Sequence, residues 1–151
     1  MKVLGLDLGN RTLGMAISDF LGIIANPIGT MRFDDCDLNK ALEYTVNAVK
    51  EHGVEKIVLG LPKNMNGTIG PQAEYCLQFK EMVEEATKLE VVMIDERLTS
   101  KQADVYMLSA DLSRQKRKKN VDKLAAAIIL QTYLDKERGG KIWKMKQWLL
   151  K

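Results

Sequence analysis

A chain of 151 residues with 46% hydrophobic and 28% charged side chains has the size and balance of one globular domain, which excludes a disordered, collagen-like or coiled-coil protein. No apolar run reaches the roughly 18 residues of a membrane span, and the opening MKVLGLDLGN breaks into an acid and glycines, unlike a secretory signal, so the expected location is the cytoplasm. The net charge of +3 is unevenly spread: SRQKRKKNVDK, from Ser113 to Lys123, holds six basic residues and one acid, against 17 basic and 19 acidic residues elsewhere, a concentration that suits contact with a polyanion.

Along the chain, KVLGLDL at 2–8 reads as a buried strand interrupted by one acid. A second strand is expected over Leu13 to Ser18 after a Gly-Asn-Arg turn, and a third near Ile28 to Phe33; this spacing predicts an antiparallel meander. Leu38, Ala41, Leu42, Thr45 and Val49 then recur at helical spacing behind Asp37 as N-cap, and Gly53 stops the helix. KIVLG at 56–60 is a compact buried strand, followed by a loop in which Asn66-Gly67 marks a turn. Pro71 suits the first position of a helix running to about Lys88, with Ala73, Cys76, Phe79 or the Lys80 stem, Val83 and Ala86 as its buried stripe. VVMID at 91–95 is the fifth strand. Thr99 and Gln102 have capping-box spacing for another helix, and Asn120 can cap a last one, VDKLAAAIILQTYLDKE, apolar on most sides and so buried. The order predicts an α/β fold: one five-stranded mixed sheet, a three-strand meander followed by alternating helices and strands, with helices on both faces and strands one, four and five parallel.

Two cysteines far apart, Cys36 and Cys76, and a single histidine, His52, argue against a disulfide scaffold and a Cys/His zinc site. Both cysteines read as reduced and packed, and His52 in KEHG suits the negative end of a helix.

The chemistry is therefore sought among carboxylates. Asp7 interrupts a buried strand, where a lone charge needs a cation or an array of donors; the following turn or Arg11 would be the structural partner. Glu96 follows the fifth strand, at the edge where α/β sheets bind ligands. Alternation sends Asp95 to the opposite face, so only one of the two can join Asp7; pairing with Arg97 is the other role open to Glu96. Asp122 lies in the first turn of the last helix, where an acid complements the helix dipole, but it comes three positions after the run Lys116, Arg117, Lys118 and Lys119. Three carboxylates without histidine or thiolate ligands suit a hard cation, Mg²⁺ or Mn²⁺, and such ions suit in-line attack on a phosphodiester.

Four segments, DLGNRTLGMAISD (7–19), GLPKNMNGTIGPQA (60–73), DERLTSKQA (95–103) and NVDKLAAAIIL (120–130), together resemble the YqgF or RuvX family of Holliday-junction-resolvase-like proteins and candidate pre-16S rRNA nucleases. The resemblance runs over about residues 1–138, leaving 139–151 as a basic, tryptophan-containing extension. It implies a ribonuclease H-like fold, a divalent-metal site on Asp7, Glu96 and Asp122, and hydrolysis of structured RNA in 5′-end maturation of 16S rRNA; resolution of four-way DNA junctions is the alternative.

Nucleic-acid contacts are expected from Arg11, Lys63, Arg97, Arg114, Lys116, Arg117, Lys118 and Lys119. The basic run lacks interleaved aromatics and so reads as backbone contact. Two non-nuclease readings stay open: a nucleic-acid or ribosome-associated module without turnover, and a nucleotide-binding module, since Asp7-Leu8-Gly9-Asn10-Arg11 also resembles the phosphate loop of sugar kinases and actin-like ATPases. The expected partners are RNA or branched DNA and no membrane, for a monomer or homodimer. Trp143 and Trp148 in the extension could stack on RNA, dock on the protein's own surface or meet a partner.

Overall fold

The computed structural model describes residues 1–98 and 124–139. The described elements are β1 (Val3–Leu8), β2 (Thr12–Ser18), β3 (Ala25–Arg32), α1 (Leu38–His52), β4 (Lys56–Leu61), α2 (Pro71–Thr87), β5 (Val91–Asp95) and a 3-10 turn at Glu96–Leu98, followed by a helix over 124–139, here α3. The five strands form one sheet in the order β3-β2-β1-β4-β5. β1, β2 and β3 pair antiparallel, and β1, β4 and β5 pair parallel, as the order of elements predicts.

Strand alternation divides the core into two layers. Leu4, Leu6 and Leu8 of β1 pack with Ile57 and Leu59 of β4 under α1 and α2. Val3, Val58 and Ile94 face the other way and pack with Ala126, Ile129 and Leu130 of α3. Gly5 lets this helix come close, since a Cβ there would lie 2.6 Å from Leu130 Cβ and 2.9 Å from the carbonyl oxygen of Ala126. Asp7, two residues on, shares that face. Helices therefore cover both faces of the sheet.

The helix signals act as expected. Asp37 accepts a hydrogen bond from the backbone N–H of Lys40 at 3.2 Å, and Gly53 closes α1 in the left-handed region at φ +64°. Ala73, Cys76, Phe79 and Val83 form the buried stripe of α2; burying a side chain such as Phe79 stabilises the fold by about 1.5–3 kcal/mol. The loop after β4 turns at Gly67, φ +86°, and is held by Asn64 N–H to Thr68 O at 3.0 Å.

Three details depart from the sequence reading. β3 starts at Ala25, not Ile28, and contains Pro27. It is an edge strand with a register irregularity opposite Met15 and Ala16, where proline and apolar exposure are tolerated. Ala86 is exposed, because the helical stripe has rotated away from the sheet by the last turn of α2. Cys36 is exposed with φ +57° in the turn before α1, not packed; Cys76 is fully buried. The expected Thr99 helix, the N-terminal cap of the last helix, the run Arg114 to Lys119, Asp122 and most of the extension lie outside the described residues.

Candidate active site

The register of the parallel strands assembles the site. Leu6 pairs with Leu59, Gly60 with Ile94 and Leu61 with Asp95, so β1, β4 and β5 end side by side at Leu8, Leu61 and Asp95. Asp7 sits one residue before the end of β1, and Glu96 one residue after the end of β5, both on the α3 face. The chain then turns in the 3-10 segment Glu96–Leu98.

At this edge the two carboxyl groups meet in a hydrogen bond. Burial first, then the neighbouring Asp7 charge and that hydrogen bond, push the Glu96 carboxyl up to about 8. Two carboxylates in contact disfavour double ionisation, so they hold one proton between them when no cation is present. Gly60 makes the approach possible: a Cβ there would fall on Glu96 Oε1 and within 2.7 Å of Ile129 Cδ1. Across the sheet, in the α2 layer, the Cys76 thiol is pushed up to about 12 by burial and then by the Glu96 and Asp7 charges. It is therefore a neutral filler and not a nucleophile.

Asp95 points away from this pair, as alternation requires. The guanidinium of Arg97 grips it with a fork, Nε to Oδ2 at 3.0 Å and Nη2 to Oδ2 at 2.6 Å, with Nε also 3.1 Å from Oδ1. The Arg97 backbone N–H adds a bond to Oδ1 at 3.0 Å, and Nη1 reaches the carbonyl oxygen of Met65 at 3.3 Å. Arg97 thus clasps the β4–α2 loop to the end of β5. The Arg97 hydrogen bonds first, and more weakly Lys63, hold the Asp95 carboxyl below its usual range.

The remaining expected contacts are dispersed around this edge. Arg11 is exposed beyond β1, its Nε 3.9 Å from Asp35, so it pairs with neither Asp7 nor Glu96. Its loop is pinned by Gly9 N–H to Thr12 O at 2.8 Å, Cys36 N–H to Asn10 O at 2.7 Å and Tyr75 OH to Gly9 O at 3.2 Å. Lys63 is half-buried at the start of the β4–α2 loop. Among the described residues no group of three or more His, Cys, Asp or Glu side chains is gathered to hold a metal. Gly60 is a site residue that the sequence reading missed; glycine inside a buried strand is the signal for it.

A mixed sheet in this order, with helices on both faces, is a ribonuclease H-like fold. The fold is that of Thermus thermophilus RuvC in complex with a Holliday junction substrate (TM-score 0.60, 10% identity, 92% of this chain and 96% of that one). It is shared by the fowlpox virus Holliday junction resolvase (TM-score 0.53, 14% identity, 90% and 99%). The sequence profile of the RuvX family, described as Holliday junction resolvase, matches residues 1–136, and the chain belongs to this family. A candidate pre-16S rRNA nuclease of Bacillus licheniformis is 49% identical over 135 residues, 89% of this chain and 97% of that protein. One of Bacillus cereus is 47% identical over 137 residues, 91% and 100%.

Proposed function

We propose that this protein is a divalent-metal-dependent nuclease that hydrolyses phosphodiester bonds in structured RNA, acting in the cytoplasm on the 5′ end of precursor 16S rRNA. The observation that carries the reading is the meeting of Asp7 and Glu96 at the carboxyl edge of the parallel strands, in a pair that holds a proton. The identity of 47–49% to relatives described as candidate pre-16S rRNA nucleases supports the choice of substrate.

The residues fit a hard cation. Carboxylate oxygens are the ligands that Mg²⁺ and Mn²⁺ prefer, and a cation would offset the repulsion that now keeps Glu96 protonated. Asp7 and Glu96 would hold it, with Asp122 as third ligand. Asp122 lies outside the described residues; in sequence it precedes by four positions Ala126, which like Asp7 borders Gly14: a Cβ at Gly14 would be 3.5 Å from Asp7 Cβ and 3.6 Å from Ala126 Cβ. When bound, such an ion supplies Lewis-acid stabilisation of charge developing on the phosphodiester. Asp7 and Glu96 orient the reacting group at the strand edge, and Gly60 gives Glu96 the room to do so. Arg97 fixes the turn from which Glu96 projects. Lys63, Arg11 and the run Arg114, Lys116, Arg117, Lys118 and Lys119 would contact the phosphate backbone without reading sequence.

The family's description favours a second reading, cleavage of four-way DNA junctions. Incubating the protein with Mn²⁺ and either a pre-16S rRNA fragment or a four-way junction, with Asp7→Asn as control, separates the two. Cleavage of the RNA that disappears in the variant is expected. Cleavage of the junction alone would replace the RNA reading, and turnover of neither substrate would remove the catalytic one.

A further inference from the structure

The loop between β4 and α2 combines internal order with exposed apolar surface, at the same edge of the sheet as the acids. Asn64 N–H donates to Thr68 O at 3.0 Å, and Gly67 N–H to Asn64 O at 2.8 Å. Side chains close the same turn. Asn64 Nδ2 donates to Thr68 Oγ1 at 3.0 Å, and Asn66 Oδ1 accepts from the Thr68 N–H at 3.1 Å and from its hydroxyl at 2.6 Å. Arg97 Nη1 bonds Met65 O, which ties the tip of the loop to the residue following Glu96. The polar groups of the turn are thus engaged with one another, while the Met65 side chain faces solvent. Met65 is 91% accessible, the most exposed large hydrophobic residue among those described, and Ile69 on the same loop is 43% accessible.

Isolated apolar side chains are common on protein surfaces and by themselves carry no meaning. Met65 differs in its mounting and its place. The hydrogen-bonded turn fixes its backbone, so much of the ordering cost of a contact is met before binding. The guanidinium that holds its carbonyl also grips Asp95, one residue before Glu96. A polymer laid across the Asp7–Glu96 pair therefore runs beside this side chain.

We propose that Met65 is a wedge that enters the end of a nucleic-acid helix and takes the face of the terminal nucleobase. It would open the stack next to the phosphodiester presented to Asp7 and Glu96. This inference rests on the nucleic-acid part of the reading above. Apolar side chains, methionine among them, are what proteins insert between base steps. The thioether is unbranched and polarizable, so it adapts to the face of any base and favours contact with an aromatic ring. Lys63, at the start of the same loop, supplies positive charge for the adjoining phosphate. That charge favours a polyanion over an apolar protein surface as the occupant.

The test uses pre-16S rRNA fragments in which 2-aminopurine, bright only when unstacked, replaces adenine at each helix end in turn. The Asp7→Asn protein, which separates binding from turnover, should raise the fluorescence at one helix end. Adding Met65→Ala should abolish the rise, Met65→Leu should keep it, and circular dichroism should be unchanged in both. In Mn²⁺, Met65→Ala alone should slow cleavage of the paired fragment by about ten- to a hundredfold, the scale of unstacking a base step. A mismatch at that helix end should restore the parent rate, a rescue that a merely structural role for Met65 would not give. A rise that survives Met65→Ala, no rise at any helix end, or a cleavage defect that the mismatch leaves in place would overturn the proposal. The two readings fail separately. A Met65-dependent rise in a protein that cuts nothing upholds the wedge and removes the nuclease, whereas parent-rate cleavage by Met65→Ala does the reverse. A protein that does not bind the RNA removes both.

Discussion

The carboxylate of Glu96 occupies the space that a side chain at residue 60 would fill: a Cβ built on Gly60 falls on its Oε1. Gly60→Ala should therefore displace Glu96 from Asp7. A displacement of about 1 Å at a reacting group can cost about 100-fold in rate, so cleavage should fall by at least that factor. The crowding against Ile129 Cδ1 should also lower stability by about 1–3 kcal/mol. A cleavage assay with thermal melts checks both, and a wild-type rate would show that Glu96 does not act from this position.

Asp7→Asn and Glu96→Gln should each reduce cleavage by more than the roughly 100-fold that losing an outer partner of a metal ligand costs. Without metal at alkaline pH both variants should be more stable than the parent, because each removes one of two repelling charges. Urea titrations in a chelator, beside cleavage rates in Mn²⁺, would show the opposite signs of the two effects.

The Glu96 carboxyl, raised from 4.5 to about 8, sets a direction for the pH dependence. The folded chain holds this proton more tightly than the unfolded one. Its contribution to stability is complete below 4.5 and is lost as pH rises through about 8. In a chelator, the urea midpoint should fall across this window. Saturating Mn²⁺ should flatten the fall, since a ligand of the ionised pair stabilises the folded state by mass action. Glu96→Gln should remove this component, and an unchanged slope in that variant would assign it elsewhere.

Arg97 offers a contrast with the basic run. Its guanidinium is committed to Asp95 and Met65 O, so Arg97→Ala should loosen the β4–α2 loop, seen as faster amide exchange at Asn64 and Gly67, whose N–H groups bond within that loop. The salt dependence of RNA binding should hardly change. Replacing Lys116 or Arg117 should instead reduce the slope of log K against log salt by about 0.7–0.9 per residue. A slope reduced equally by Arg97→Ala would make that residue a phosphate contact.

The antiparallel meander, the parallel trio and the two-sided helical cover were legible because each rests on a local pattern: the apolar runs 2–8 and 56–60, the Asp37 and Gly53 caps, and Pro71 at a helix start. The meeting of Asp7 with Glu96 was legible for a related reason, since alternation along β1 and β5 fixes the face each acid takes. What escaped depends on contacts between distant segments. No local rule says that Arg97 will choose Asp95 over Glu96, which needs the turn at Glu96–Leu98 to bring the guanidinium back over β5. Gly60 reads as one more small residue until Glu96 and Ile129 arrive from elsewhere in the chain. β3 was placed late because Pro27 weakens a strand signal that only its position at the sheet edge excuses.

The unequal fates of the two sulfurs have a practical consequence. Cys76 is sealed in the core layer under α2 with its thiol held neutral, while Cys36 is open to solvent in a turn whose N–H donates to the Asn10 carbonyl. A maleimide dye should thus attach at a single place on the native protein without any engineering. That dye would stand beside the loop that follows Asp7, where it could register the arrival of a nucleic acid in real time.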